Sequence, residues 1–124
     1  MTTIRLITEV AIAILYSAGA VFNTVYTLGN ADKFYGAFAD GAWLGPARRF
    51  LRTFVLPHAT VFTVSLILFE TAVAIIILTR GDLVRPALVA GAVFCVIAAL
   101  VSSPGGTAGN LALAAIQIAL AWSR

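Results

Sequence analysis

From residue 58 to residue 79 the chain reads HATVFTVSLILFETAVAIIILT. Past the opening histidine, this run holds a single ionisable side chain, Glu70. A helix needs about 20 mostly apolar residues to cross the hydrocarbon core of a bilayer, and the run is long enough. Pro57 stands just before it, where the missing N–H of a proline costs nothing, and Gly81 follows it. The stretch predicts a transmembrane helix, and the composition around it agrees. The chain is 61% hydrophobic and 10% charged, with a mean hydropathy of +1.03. A soluble domain is nearer half apolar and a quarter charged, because it must keep a wetted exterior. These few charges cannot coat a globule, so the exterior must face lipid.

Working outward, a first helix is expected over about 4–28, closed by Gly29-Asn30. A third runs over about 86–101 and ends at Ser102-Ser103-Pro104-Gly105-Gly106, read as a turn. A fourth covers about 107–122. The expected fold is an all-α integral membrane four-helix bundle forming one domain over 1–124. Arg5 and the small residues Ser17-Ala18-Gly19-Ala20 suggest a cleavable signal peptide. Glu9 would then fall inside its apolar region, and the run continues through Val21, Phe22, Val25 and Tyr26 to Leu28, so a retained helix is expected. Residues 29–57 read as a long, partly amphipathic loop between helices 1 and 2. Within it, about 46–56 form an interfacial segment. At helical spacing Arg48, Arg49 and Arg52 share one side for contact with lipid headgroups, and Ala47, Phe50, Leu51 and Phe54 share the other. An ordinary cationic flank of the second helix is the alternative. Phe34, Tyr35, Phe38 and Trp43 add interfacial aromatics.

The net charge is +3. The basic residues sit at the ends of apolar runs rather than in a phosphate-tracking stripe, so no nucleic-acid partner is expected. The positive-inside rule ties, with Arg5, Arg80, Arg85 and Arg124 on one side and Lys33, Arg48, Arg49 and Arg52 on the other. An interfacial helix would weaken the vote of the long loop, which places both termini in the cytoplasm of a prokaryotic cell membrane. The one cysteine, Cys95, allows no internal disulfide and reads as a small packing residue. The one histidine, His58, is expected at the interface. No metal site is expected from this inventory, and no P-loop, dinucleotide fingerprint or nucleophile elbow is present.

The polar residues inside the apolar runs each ask for a reason. On the first helix Glu9, Tyr16, Asn23 and Thr27 are spaced by seven, seven and four residues, which keeps them on one face at about 100° per residue. Thr63 and Glu70 on the second helix are seven apart, as are Asn110 and Gln117 on the fourth. Turned inward, the stripes would satisfy one another by hydrogen bonds. Tyr16 and Glu70 fall at similar depths, near the midplane, where they could meet directly. Left unpaired, the Glu70 carboxyl would either take a proton or turn toward a polar interior, since hydrocarbon penalises the charged form. Two readings stand. In one the stripes are interhelical glue, each bond contributing roughly 0.6 kcal/mol. In the other Glu70, with Tyr16 or Glu9, lines a site for a proton, a quinone or a small apolar ligand.

The stretch bounded by Pro46 and Pro57, the pair Phe69-Glu70, the run from Ile75 to Leu78, Arg80-Gly81 and the opening Asn110-Leu111 together resemble the DoxX-like family of small four-helix membrane proteins. The resemblance implies a four-helix bundle linked to membrane redox complexes and supplies no catalytic residue. It points to an accessory subunit, not an enzyme on its own, with a polar interior around Glu70 that would accept a quinone- or lipid-like molecule. Its partners would be membrane lipids and other membrane subunits or copies of itself. The alternatives are a small proton-coupled transporter using Glu70 or Glu9, and a non-catalytic scaffold whose Arg-rich segment recruits anionic lipid.

Overall fold

Among the described residues, 2–124, the computed structural model consists of four helical rods joined by three short turns. The first rod contains α1 (Thr2–Phe22), a π-helical turn (Asn23–Thr27), a 3-10 turn (Leu28–Asn30) and α2 (Ala31–Gly41). The second repeats that irregularity in its middle: α3 (Gly45–Phe50), a π-helical turn (Leu51–Val55), a 3-10 turn (Leu56–His58) and α4 (Ala59–Thr79). The other two rods are α5 (Val84–Leu100) and α6 (Pro104–Trp122). Two stretches, Thr3–Gly41 and Gly45–Thr79, are long and apolar enough to cross a membrane.

A π turn widens the helical ladder and a 3-10 turn tightens it, so the two in succession redirect the axis without unpairing the backbone. Each pair ends on a residue that leaves the helical region in nearly the same way, Asn30 at φ −134°, ψ 33° and His58 at φ −124°, ψ 31°. Beyond these kinks α2 and α3 form a pair of arms over one end of the bundle. There Ala31, Tyr35, Ala39 and Ala42 pack with Leu51, Val55 and Ala59, flanked by Phe34, Phe38, Phe62 and Val101. The main core lies nearer the other end, where Ile12, Ala13 and Tyr16 of α1 meet Val73, Ala74 and Ile77 of α4, Ala87 and Leu88 of α5, and Leu120 and Ala121 of α6. Between α5 and α6 the contact runs through Ala92, Cys95 and Ala114; such small side chains let two helix backbones approach closely. The first turn of α1 and the end of α6 meet at this second end, where Arg5 Nη1 donates to the Ser123 carbonyl at 2.9 Å.

The expected long loop over 29–57 is a correction: this segment is helical except at 42–44. The expected interfacial segment, 46–56, lies inside the second rod and runs on into α4. Its apolar side is also split, because Leu51 is buried with Val55 while Phe50 and Phe54 stack on each other at the exposed surface, ring centroids 5.5 Å apart. Arg52 pairs with Asp40 of α2, and Arg48 Nη2 donates to the Ala42 carbonyl at 2.7 Å, so two of the three arginines tie the arms together. Two boundaries also move. Helix α5 starts at Val84 with Pro86 inside its first turn, and α6 starts at Pro104. Gly105 and Gly106 therefore belong to α6, whose N-cap Ser103 accepts from the Gly106 N–H at 3.4 Å.

Candidate functional site

On α1 and the turn that follows, Glu9, Tyr16, Asn23 and Thr27 are all buried, as the spacing predicts. On α4 the buried stripe includes Thr63 and Glu70, and on α6 Gln117 is buried while Asn110 is half-buried. Large apolar side chains take the outside, among them Ile7, Ile14, Val61, Leu68, Ile75 and Ile97. The surface is far more apolar than that of a water-soluble bundle, where polar groups cover the outside, while the interior combines an apolar core with these polar stripes.

Asn23 opens the π turn, and its Nδ2 donates to Glu70 Oε1 at 2.7 Å. The second carboxyl oxygen, Oε2, lies against α1 at Gly19, where an added Cβ would collide with it. Oε2 takes no hydrogen bond from the described residues. Nor does any ion pair form at Glu70 among them. Across the cavity Tyr16 Oη donates to Gln117 Oε1 at 2.8 Å, and Gln117 Nε2 donates to Cys95 Sγ at 3.4 Å and to the Leu113 carbonyl at 3.2 Å. Gly91 makes room for this couple, since a Cβ there would collide with both Gln117 Oε1 and Tyr16 Oη. Tyr16 packs edge-on against Phe69, and Phe69 against Phe94.

These groups face one cavity of about 490 Å³, whose wall includes Tyr16, Gly19, Glu70, Cys95, Asn110 and Gln117 together with Ile12, Leu15, Phe22 and Phe94. Its polar side offers a carboxyl, a phenol, two amides and a thiol, and the rest is hydrocarbon, the usual mixture of a small-molecule site. Phe22 and Phe94 also line a second chamber of about 350 Å³, walled by Phe34, Tyr35, Phe38, Phe50 and Phe62, with Asn23 at its edge. The Asn23–Glu70 hydrogen bond thus stands between a polar chamber and an aromatic one.

Tyr16 and Glu70 share the cavity, but each bonds elsewhere, so the direct contact that their depths allow is not formed. Glu9 is far from the site. Fully buried, it accepts from Arg80 Nη1 at 2.9 Å and from Arg124 Nη1 at 3.0 Å and 3.1 Å. Arg80 reaches it from a left-handed C-cap of α4, at φ 62°. Thr63 Oγ1 donates to the Ala59 carbonyl of its own helix, and Asn110 Nδ2 to that of Gly106. Arg48, Arg49 and Arg52 stand at the opposite end, on the arms. His58 is exposed, with Nδ1 3.0 Å from the Phe54 carbonyl. Cys95 packs between Ala92 and Ala114 as a small residue, as expected, and its place as acceptor for Gln117 was not foreseen. Sequence reasoning missed Gly19 and Gly91, because periodicity scores polar side chains whereas these two matter through their smallness and position. No family model matches the chain, and neither does any curated protein or solved structure.

Proposed function

We propose that the chain is a multi-pass membrane protein of DoxX-like type, with both termini in the cytoplasm of a prokaryotic cell. In this reading the Glu70 cavity holds an amphiphilic molecule of the quinone or lipid class. The protein serves as an accessory subunit of a membrane complex rather than as an enzyme by itself. The observation that carries the reading is Glu70 Oε2, a carboxyl oxygen without a protein partner that faces a cavity of ligand size. Oε2 keeps accessible surface in the cavity, so a ligand that enters can hydrogen-bond it. Protonated, the carboxyl donates to a quinone carbonyl; ionised, it accepts from a hydroxyl. Tyr16 and Gln117, bonded to each other, add polar surface to the opposite wall, and the aromatic chamber beyond Asn23 suits a ring or an isoprenoid tail. The apolar exterior supports the membrane setting.

The test is calorimetric titration of the detergent-solubilised protein with a short-chain benzoquinone. Saturable binding that Glu70→Gln weakens at least tenfold is expected. Equal binding by both proteins would remove Glu70 from the function. The contact between the two chambers also favours a second reading, proton-coupled transport with Glu70 as the carrier. That reading requires pH-driven substrate flux in liposomes, abolished by the same substitution.

A further inference from the structure

At the end of the bundle where the first turn of α1 meets the end of α6, a cleft of about 560 Å³ is lined by Arg5 of α1, Gly81 and Asp82 of the α4–α5 turn, Arg85 and Pro86 of α5, and Arg124 beyond α6. Three guanidinium groups from three separate segments thus converge on one space. Each is anchored on its inner side: Arg5 Nη1 on the Ser123 carbonyl at 2.9 Å, Arg85 Nε on the Ala121 carbonyl at 3.0 Å, and Arg124 Nη1 on Glu9. A guanidinium has five donors in a rigid fork, so anchoring one or two leaves the remainder free to face the cleft. Arg5 Nε is itself shielded from solvent and without a hydrogen-bond partner. The first turn of α5 borders the same space through Arg85 and Pro86, and a helix N-terminus carries partial positive charge. Asp82 is the one acidic side chain in the lining, and it is exposed and forms no ion pair among the described residues. Arg124 is paired with Glu9, so Arg5 and Arg85, which form no ion pair among the described residues, supply the cleft's excess positive charge over Asp82.

A second feature adjoins it. A groove of about 300 Å³ runs between α1 and α6 and shares Arg5 with the cleft, its other walls being Ile4, Thr8, Ile116, Ala119, Leu120 and Ser123. A basic cleft and an apolar groove that meet at Arg5 suit the two parts of a phospholipid, with the phosphate among the arginines and an acyl chain along the groove. We propose that this cleft binds a phosphate group, that of an anionic lipid seated in the α1–α6 groove. Guanidinium forks match phosphate oxygens in pairs, and basic pockets at a membrane surface select anionic headgroups. The site is separate from the Glu70 cavity and stands or falls independently of it.

The test compares the protein in nanodiscs of phosphatidylcholine with increasing phosphatidylglycerol, counting retained lipids by native mass spectrometry. Selective retention of phosphatidylglycerol is expected, weakened roughly five-fold by each of Arg5→Gln and Arg85→Gln. Competition by millimolar inorganic phosphate would support the phosphate chemistry and identify a free anion as an alternative source. Wild-type protein retaining the two lipids equally, or both arginine variants retaining phosphatidylglycerol as the wild type does, would overturn the proposal. The wild-type arm needs no variant to fold, and Arg85→Lys, which keeps the charge but loses the fork, is expected to recover part of the selectivity.

Discussion

Gly19 and Glu70 make a matched pair, one leaving space for the other's carboxyl. Alanine at position 19 should gain helix propensity, about 1 kcal/mol over glycine, while forcing Glu70 Oε2 away from α1. Gly19→Ala is therefore expected to keep the thermal midpoint within a few degrees of wild type and yet lose benzoquinone binding in the calorimetric titration. Retained binding would mean that the position of Oε2 is immaterial. Glu9 presents the opposite case, a buried carboxylate paired with two arginines. Removing one member of a buried pair leaves the other charges uncompensated, at a cost of about 3–5 kcal/mol. Here the low end is expected, because the Arg80 side chain is 37% exposed and can rehydrate. Glu9→Gln should thus destabilise the protein by about 3 kcal/mol in detergent unfolding while sparing ligand binding; an unchanged midpoint would contradict this assignment. The seven-residue spacing identified which side chains face inward. It left their partners open, because the pairing of Tyr16 with Gln117 and of Asn23 with Glu70 depends on how α6 and the π turn are rotated, which period alone does not encode.

Among the elements, the two broken rods are where reading from sequence fails. Gly29, Asn30, Gly36, Gly41, Gly45 and Pro46 are all poor helix formers, and together they signal a loop. Tertiary packing overrides them: Ala31, Tyr35, Ala39 and Ala42, spaced by four, four and three residues, form a stripe that α2 buries against Leu51, Val55 and Ala59. The stripe is short and mostly alanine, so its apolar signal is weak beside the glycines. The apolar runs of α1, α4, α5 and α6 were legible because length and hydropathy suffice there. The π turn at Asn23–Thr27 sets the direction in which α2 leaves α1. One alanine inserted after Val25 would rotate α2 by about 100° and unseat Tyr35 and Ala39. The expected result is rapid hydrogen exchange confined to α2 and α3, with α5 and α6 still protected. Protection unchanged throughout would show that the arms do not depend on that turn.

At the scale of the whole molecule, the polar residues form two separate systems. One is the charged end, where Glu9 holds Arg80 and Arg124 and the arginine cleft opens beside them. The other is the interior, where Glu70 keeps one oxygen free beside the Tyr16–Gln117 couple. Large apolar side chains cover much of the surface between the two ends, the exterior that the proposed membrane setting requires. The first system accounts for cohesion and surface recognition, and the second for the proposed ligand. The most direct measurement of that central claim is native mass spectrometry of protein gently extracted from its own membrane, wild type beside Glu70→Gln. A small apolar adduct present on the wild type and lost from the variant is the predicted result. A bare chain in both samples, or an identical set of adducts on both, would contradict a ligand site at Glu70.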